Sequence, residues 1–164
     1  MSSDLDSRLV IEKAGPSRID VVRDLFQEYG QSVDAPLCFE DFEHELDSLP
    51  GEYRPPVGAL FLALYNAAPV GCVGIRLRDS LTAEVKRLFV RESCRCLGIG
   101  ARMMAAAITH TGQAGINELV LETLPTMDSA IGLYQQLGFV PAPAYHHPTA
   151  PGVELLIKRL GAQT

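Results

Sequence analysis

The chain has 164 residues, of which 47% are hydrophobic, enough for one domain with a sizeable core and too many for an intrinsically disordered protein. A net charge of −6 excludes the basic footprint that a nucleic-acid binder needs. No apolar run reaches the length of a membrane span, and residues 1–7 read as a polar, disordered tail rather than a signal peptide. A cytoplasmic protein with no membrane partner is expected, with Cys38, Cys72, Cys94 and Cys96 as reduced thiols. Cys94-x-Cys96 has no second ligand pair at zinc spacing, so no metal site is expected.

Residues 8–13 alternate apolar and polar and predict a first strand. After the break at Gly15-Pro16-Ser17, Ile19, Val22, Phe26 and Tyr29 share one helical face, with Gly30 as the stop. A second helix carries Phe39, Phe42, Leu46 and Leu49 and ends at Pro50-Gly51. Its remaining residues, Glu40, Asp41, Glu43, His44, Glu45 and Asp47, form either a solvated face or an acidic rim for a cationic substrate. Residues 60–65 and 70–77 predict a hairpin turning at Asn66-Ala67-Ala68-Pro69, and Gly71 and Gly74 mark a bulge or a close backbone approach. A third strand spans 81–90 and a helix 99–111, with Ile99, Met103, Met104, Ala107 and Ile108 inward. A short strand at 119–121, a helix over 127–137, a strand start at Phe139-Val140, a proline-rich loop over 141–151 and a strand over 153–158 complete the chain. The order β-α-α-β-β-β-α-β-α-β-β gives a mixed, mostly antiparallel sheet of six to seven strands with helices on both faces, in a single domain over 8–164.

One stretch carries chemistry: Arg95-Cys96-Leu97-Gly98-Ile99-Gly100, placed between a strand and a helix start. The first amides of a helix lack intrahelical partners, and the helix dipole puts partial positive charge there. Glycines admit a phosphate close to the backbone, and Arg95 adds a charged fork.

The run from Ala83 to Val90 leading into Arg95-x-x-Gly98-x-Gly100, the strand at 119–122, and Ala130-x-x-Leu133-Tyr134-x-x-Leu137-Gly138-Phe139 together resemble the GCN5-related N-acetyltransferase (GNAT) superfamily over residues 8–160. The chain departs from the pattern at Cys96, where many members have Gly, at Glu92, near which many have Pro, and at Met127, often Asn. The resemblance implies the GNAT-like acyl-CoA N-acyltransferase fold, acetyl-CoA as cosubstrate, and transfer of its acetyl group to a primary amine in a ternary complex. It also implies that Leu88, Phe89 and Val90 present backbone to the thioester and pantetheine, with a bulge freeing the Leu88 amide. The amides of Arg95, Cys96, Leu97, Gly98, Ile99, Gly100 and Ala101 would hold the pyrophosphate.

Tyr134 matches the family's acid beside the thioester sulfur, the alternative being a ring packed on the helix face. Glu84 matches the glutamate base of histone-type members and shares strand parity with Leu88; a solvent-facing or salt-bridged Glu, or a water chain as base, stays open. Tyr145 and His146, with His147, belong to the loop on the acceptor side. A non-catalytic acetyl-CoA sensor is the competing function. The acceptor, a small-molecule amine or a peptide or protein amine, is not spelled out, and a homodimer is implied only at the level of the family.

Overall fold

The computed structural model describes residues 7–32, 41–124, 128–143 and 152–161, so the predicted tail, apart from Ser7, lies outside the described residues. The strands are β1 (Leu9–Lys13), β2 (Ala59–Tyr65), β3 (Ala68–Leu77), β4 (Thr82–Val90), β5 (Glu118–Thr123), β6 (Val140–Pro141) and β7 (Glu154–Arg159). The helices are α1 (Ile19–Ser32), α2 (Phe42–Ser48), α3 (Ile99–Gln113) and α4 (Asp128–Gln136). The seven strands form one sheet in the order β1-β2-β3-β4-β5-β7-β6. Every pairing is antiparallel except β4 with β5, which α3 joins by a crossover. No described helix is long and apolar enough to cross a membrane.

Two apolar layers cover the sheet. On one face α3 places Ile99, Met103, Met104 and Ala107 against Phe61, Val73, Val85 and Leu119, and Tyr134 and Phe139 join them. On the other, Val22, Leu25 and Phe26 of α1 and Leu46 of α2 pack on Leu60, Leu62, Cys72 and Phe89. Of the face predicted for α3, only Ile108 is half-buried instead of buried, and Thr111 takes the inward place one turn on, its hydroxyl donating to the Ala107 carbonyl at 2.7 Å.

Gly30 does not stop α1, which runs on to Ser32. A Cβ at Gly30 would lie 2.8 Å from the Phe42 ring, so this glycine admits the second helix rather than ending the first. The hairpin turns at Asn66-Ala67, both at positive φ (51° and 67°), and Ala68 already belongs to β3. Gly71 and Gly74 are sites of close approach: added Cβ atoms would meet the Phe89 carbonyl at 2.8 Å and the Tyr53 ring at 2.7 Å.

Candidate active site

β4 changes face midway. Its ladder with β3 pairs Gly74 with Lys86 and Cys72 with Phe89, so Arg87 and Leu88 have no partner residue and the strand bulges. Arg87 sits at φ 62°, where a side chain is unfavourable. The extra residue inverts the alternation. Ala83 and Val85 belong to the α3 layer before the bulge, Leu88 and Val90 pack there after it, and Phe89 belongs to the α1 layer. The parity expected to bring the Glu84 and Leu88 side chains to one cleft is therefore broken.

The sheet opens after Glu84, ahead of the bulge. β4 and β5 pair only from Thr82–Glu84 to Glu118–Val120, and the rest of each strand has no partner in the other. A cavity of about 60 Å³ fills the gap. Five consecutive residues, Glu84 to Leu88, line one wall. Alternating side chains cannot do that, so the cavity meets the backbone edge of β4. Leu121, Glu122 and Thr123 line the other wall, with Tyr134 from α4 and Tyr29 from α1.

The Tyr134 ring packs edge-on against Phe139 and is buried, but its hydroxyl has no hydrogen-bond partner among the described residues and is not sealed from the cavity. Burial pushes its pKa far above the ordinary phenol value, so the group stays protonated. Both expected features, packing and an open donor, are present in one residue. Glu84 is 2% exposed. Arg76 donates to its Oε1 through Nε at 2.8 Å and Nη2 at 2.7 Å, and Arg76 Nη1 reaches Glu52 at 2.6 Å.

The glycine loop lies at the far end of β4. Arg95 Nε donates to the Val90 carbonyl at 3.0 Å while the residue stays exposed. Cys96 takes φ 66° and Gly98 φ 78°, and Gly98 is the N-cap of α3. No side chain among the described residues caps this helix and its first turn holds no acidic residue, an arrangement able to accept an anion. A Cβ at Gly100 would find only ordinary contact, 3.5 Å from Leu133 and 3.9 Å from Val90. The protein's own packing does not require glycine there.

Several site residues were not singled out by the sequence. Glu45 of α2 turns inward and receives Arg87 Nε at 3.0 Å and Nη2 at 2.9 Å, with the Tyr53 hydroxyl at 3.1 Å. The Arg87 guanidinium also lies over the Phe42 ring, 5.0 Å from its centroid. Asp41, Glu43, His44 and Asp47 stay exposed, and Glu40 lies outside the described residues. Lys86 and Tyr29 also reach the site. Tyr29 was legible only as an apolar helix face. Tyr145, His146 and His147, expected on the acceptor side, lie outside the described residues. Cys72, Cys94 and Cys96 are free thiols, and no cluster able to hold a metal occurs among the described residues.

The sequence model of the acetyltransferase (GNAT) family matches residues 19–139, from α1 through the glycine loop to the end of α4. The chain belongs to the GNAT family. It is 31% identical over 140 residues to an uncharacterized N-acetyltransferase of Schizosaccharomyces pombe, covering 84% of this chain and 86% of that one. Among solved structures it superimposes on a GNAT acetyltransferase of Staphylococcus aureus with a TM-score of 0.76 at 20% identity, over 93% of this chain and 99% of that one. A GNAT acetyltransferase of Elizabethkingia anophelis crystallised with acetyl-CoA bound gives a TM-score of 0.65 at 21% identity, over 94% and 99% of the two chains. Acetyl-CoA is the cosubstrate of this family. The bulge, the splayed strands and the uncapped helix follow one another along β4 into α3.

Proposed function

We propose that this GNAT protein transfers the acetyl group of acetyl-CoA to a primary amine by direct attack within a ternary complex. The observation that carries the reading is the gap between β4 and β5, which places the bulge at Leu88 opposite the open Tyr134 hydroxyl. Acetyl-CoA supplies the acyl group as a thioester, whose carbonyl oxygen gains negative charge as the amine attacks.

The backbone amide of Leu88 is the donor for that oxygen, because the bulge removes the residue from the β3 ladder and the splay removes β5. Val90 and Phe89 offer backbone to the pantetheine, and the amides from Arg95 to Ala101 hold the pyrophosphate. As the carbon–sulfur bond breaks, Tyr134 gives its proton to the departing thiolate and is reprotonated from solvent. A phenol held protonated by burial is suited to this role.

The attacking nitrogen must lose a proton. Glu84 borders the cavity, but Arg76 occupies its Oε1, so we assign Glu84 the receiving role through a water rather than by direct contact.

Coenzyme A release across a panel of primary amines tests the reaction. Tyr134→Phe should lower kcat about 10- to 100-fold with little change in the KM for acetyl-CoA. Unchanged kcat in that variant rejects the acid role. Saturable acetyl-CoA binding with no release from any amine would instead indicate a sensor.

A further inference from the structure

A second, larger cavity opens on the α1 and α2 face of the sheet, with a volume of about 470 Å³. This is the size of a small-molecule site. It lies between α2, the turn Gly51–Tyr53, Arg54, Arg76 and β4. Among the described residues, Lys86 alone lines both this cavity and the gap holding Tyr134. An acceptor that reaches the thioester from the α2 side must pass it.

The charges around this junction are mostly spent. Glu45 is held by Arg87, and Glu84 and Glu52 are both held by Arg76. The carboxylates that lack a cation among the described residues, Asp41 on the α2 side and Glu122 on the β5 side, are exposed. Lys86, by contrast, is only half-exposed and makes no hydrogen bond or ion pair among the described residues. Burial, with the charges of Arg87 and Arg76, pushes its pKa down, a cost to the charged form that an incoming anion would offset. Arg54 stands on the same rim with its Nε on the Gly51 carbonyl and no acidic partner among the described residues, a second donor for an anion.

We propose that Lys86 binds a carboxylate on the acceptor, so that the substrate of this site is a small amine bearing an anionic group, of the amino-acid class, rather than a polyamine. The inference rests on the acetyl-transfer reading above and makes Lys86 a specificity-determining residue for it. The acidic sequence of α2 suggested a cationic acceptor, but its inward carboxylate is already neutralised by Arg87, which leaves Lys86 as an unspent positive charge where the two cavities meet.

The test compares amines that differ only in the carboxylate, phenylalanine against phenethylamine and lysine against cadaverine, by kcat/KM in the wild type, Lys86→Met and Lys86→Arg. The wild type should favour the carboxylate-bearing member. Lys86→Met, which keeps the packing of the stem, should erase that preference by about 10-fold or more, the fold-change of one charged hydrogen bond, and Lys86→Arg should keep part of it. A wild type that prefers the decarboxylated amines, or a Lys86→Met variant that slows both members of a pair equally, overturns the proposal. If no amine releases coenzyme A, the transfer reading fails by itself. The carboxylate site is then judged by binding of N-acetylphenylalanine against N-acetylphenethylamine to the coenzyme A-loaded protein. Tighter binding of the acid that Lys86→Met abolishes supports it, and equal binding by both proteins overturns it.

Discussion

Cys96 shows what one residue can reveal about a binding loop. It holds φ 66°, a region that costs a residue with a Cβ about 1–2 kcal/mol, and its thiol is exposed and free. Neighbouring Gly98 takes a similar conformation without that cost. The loop geometry is thus kept although the sequence departs from glycine at position 96, which argues that the direction of the amides is what the loop must preserve. Cys96→Gly should stabilise the fold by about 0.5–1 kcal/mol, the strain relieved less the extra entropy of an unfolded glycine. Urea unfolding of the two proteins measures it, and acetyl-CoA affinity should stay within about 3-fold because no amide is lost. A destabilised Cys96→Gly protein would mean that the thiol makes a contribution the strain argument omits.

At the scale of elements, the decisive contact is between α2 and the bulge of β4. A seven-residue helix has little stability of its own, and α2 is pinned by the forked pair of Arg87 and Glu45. Burial alone would raise the Glu45 carboxyl, but the Arg87 hydrogen bonds and charge outweigh it and hold the pKa below the ordinary value. A carboxyl depressed on folding contributes stability above the unfolded carboxylate range and loses it as pH falls through the folded value. Glu45→Gln should therefore cost about 2–3 kcal/mol near neutral pH, and the gap from wild type should narrow as the pH falls below the ordinary carboxylate range. Urea titrations at neutral and acid pH check the sign; a gap that is constant with pH removes the ion pair from the account. This contact also marks the limit of sequence reading. Strand and helix periods, glycine loop and element order were legible because they are local patterns along Ala83–Val90, Ile99–Thr111 and their neighbours. The bulge was reachable only through the family likeness, since alternation along β4 reads as continuous through Arg87. The partnership of Glu45 with Arg87 spans 42 residues of chain, and Glu84 with Arg76 joins two strands whose register the bulge alters. No local pattern encodes either pairing, so an acidic helix face and a candidate base were readable while the cations that occupy them were not.

The whole molecule is two half-sheets with a narrow seam. β1 to β4 form one half and β5, β7 and β6 the other, joined along the sheet by the short pairing of Thr82–Glu84 with Glu118–Val120 and across it by α3. The apolar layers seal each face, but they do not close the gap beyond Glu84 and Val120. A ligand bound there supplies contacts to both halves at once, so binding and folding are linked: acetyl-CoA at about 100 times its Kd should add about 2.7 kcal/mol and raise Tm by about 5–10 °C for a domain of this size. The same ligand should slow amide exchange in residues 85–90 of β4 and 121–123 of β5, which lack partners across the gap, more than in the β2–β3 hairpin. Gly100→Leu separates linkage from general stabilisation. The helix tolerates leucine and a Cβ at this position meets only ordinary contacts, so Gly100→Ala should leave the free protein's Tm unchanged as the control, while the larger Gly100→Leu side chain should remove most of the acetyl-CoA shift. A nucleotide site built on the glycine loop alone predicts the opposite pattern, protection by ATP and none by acetyl-CoA. That result would refute the seam as the binding path, because only a ligand long enough to run from the α3 amides to the gap can brace both halves.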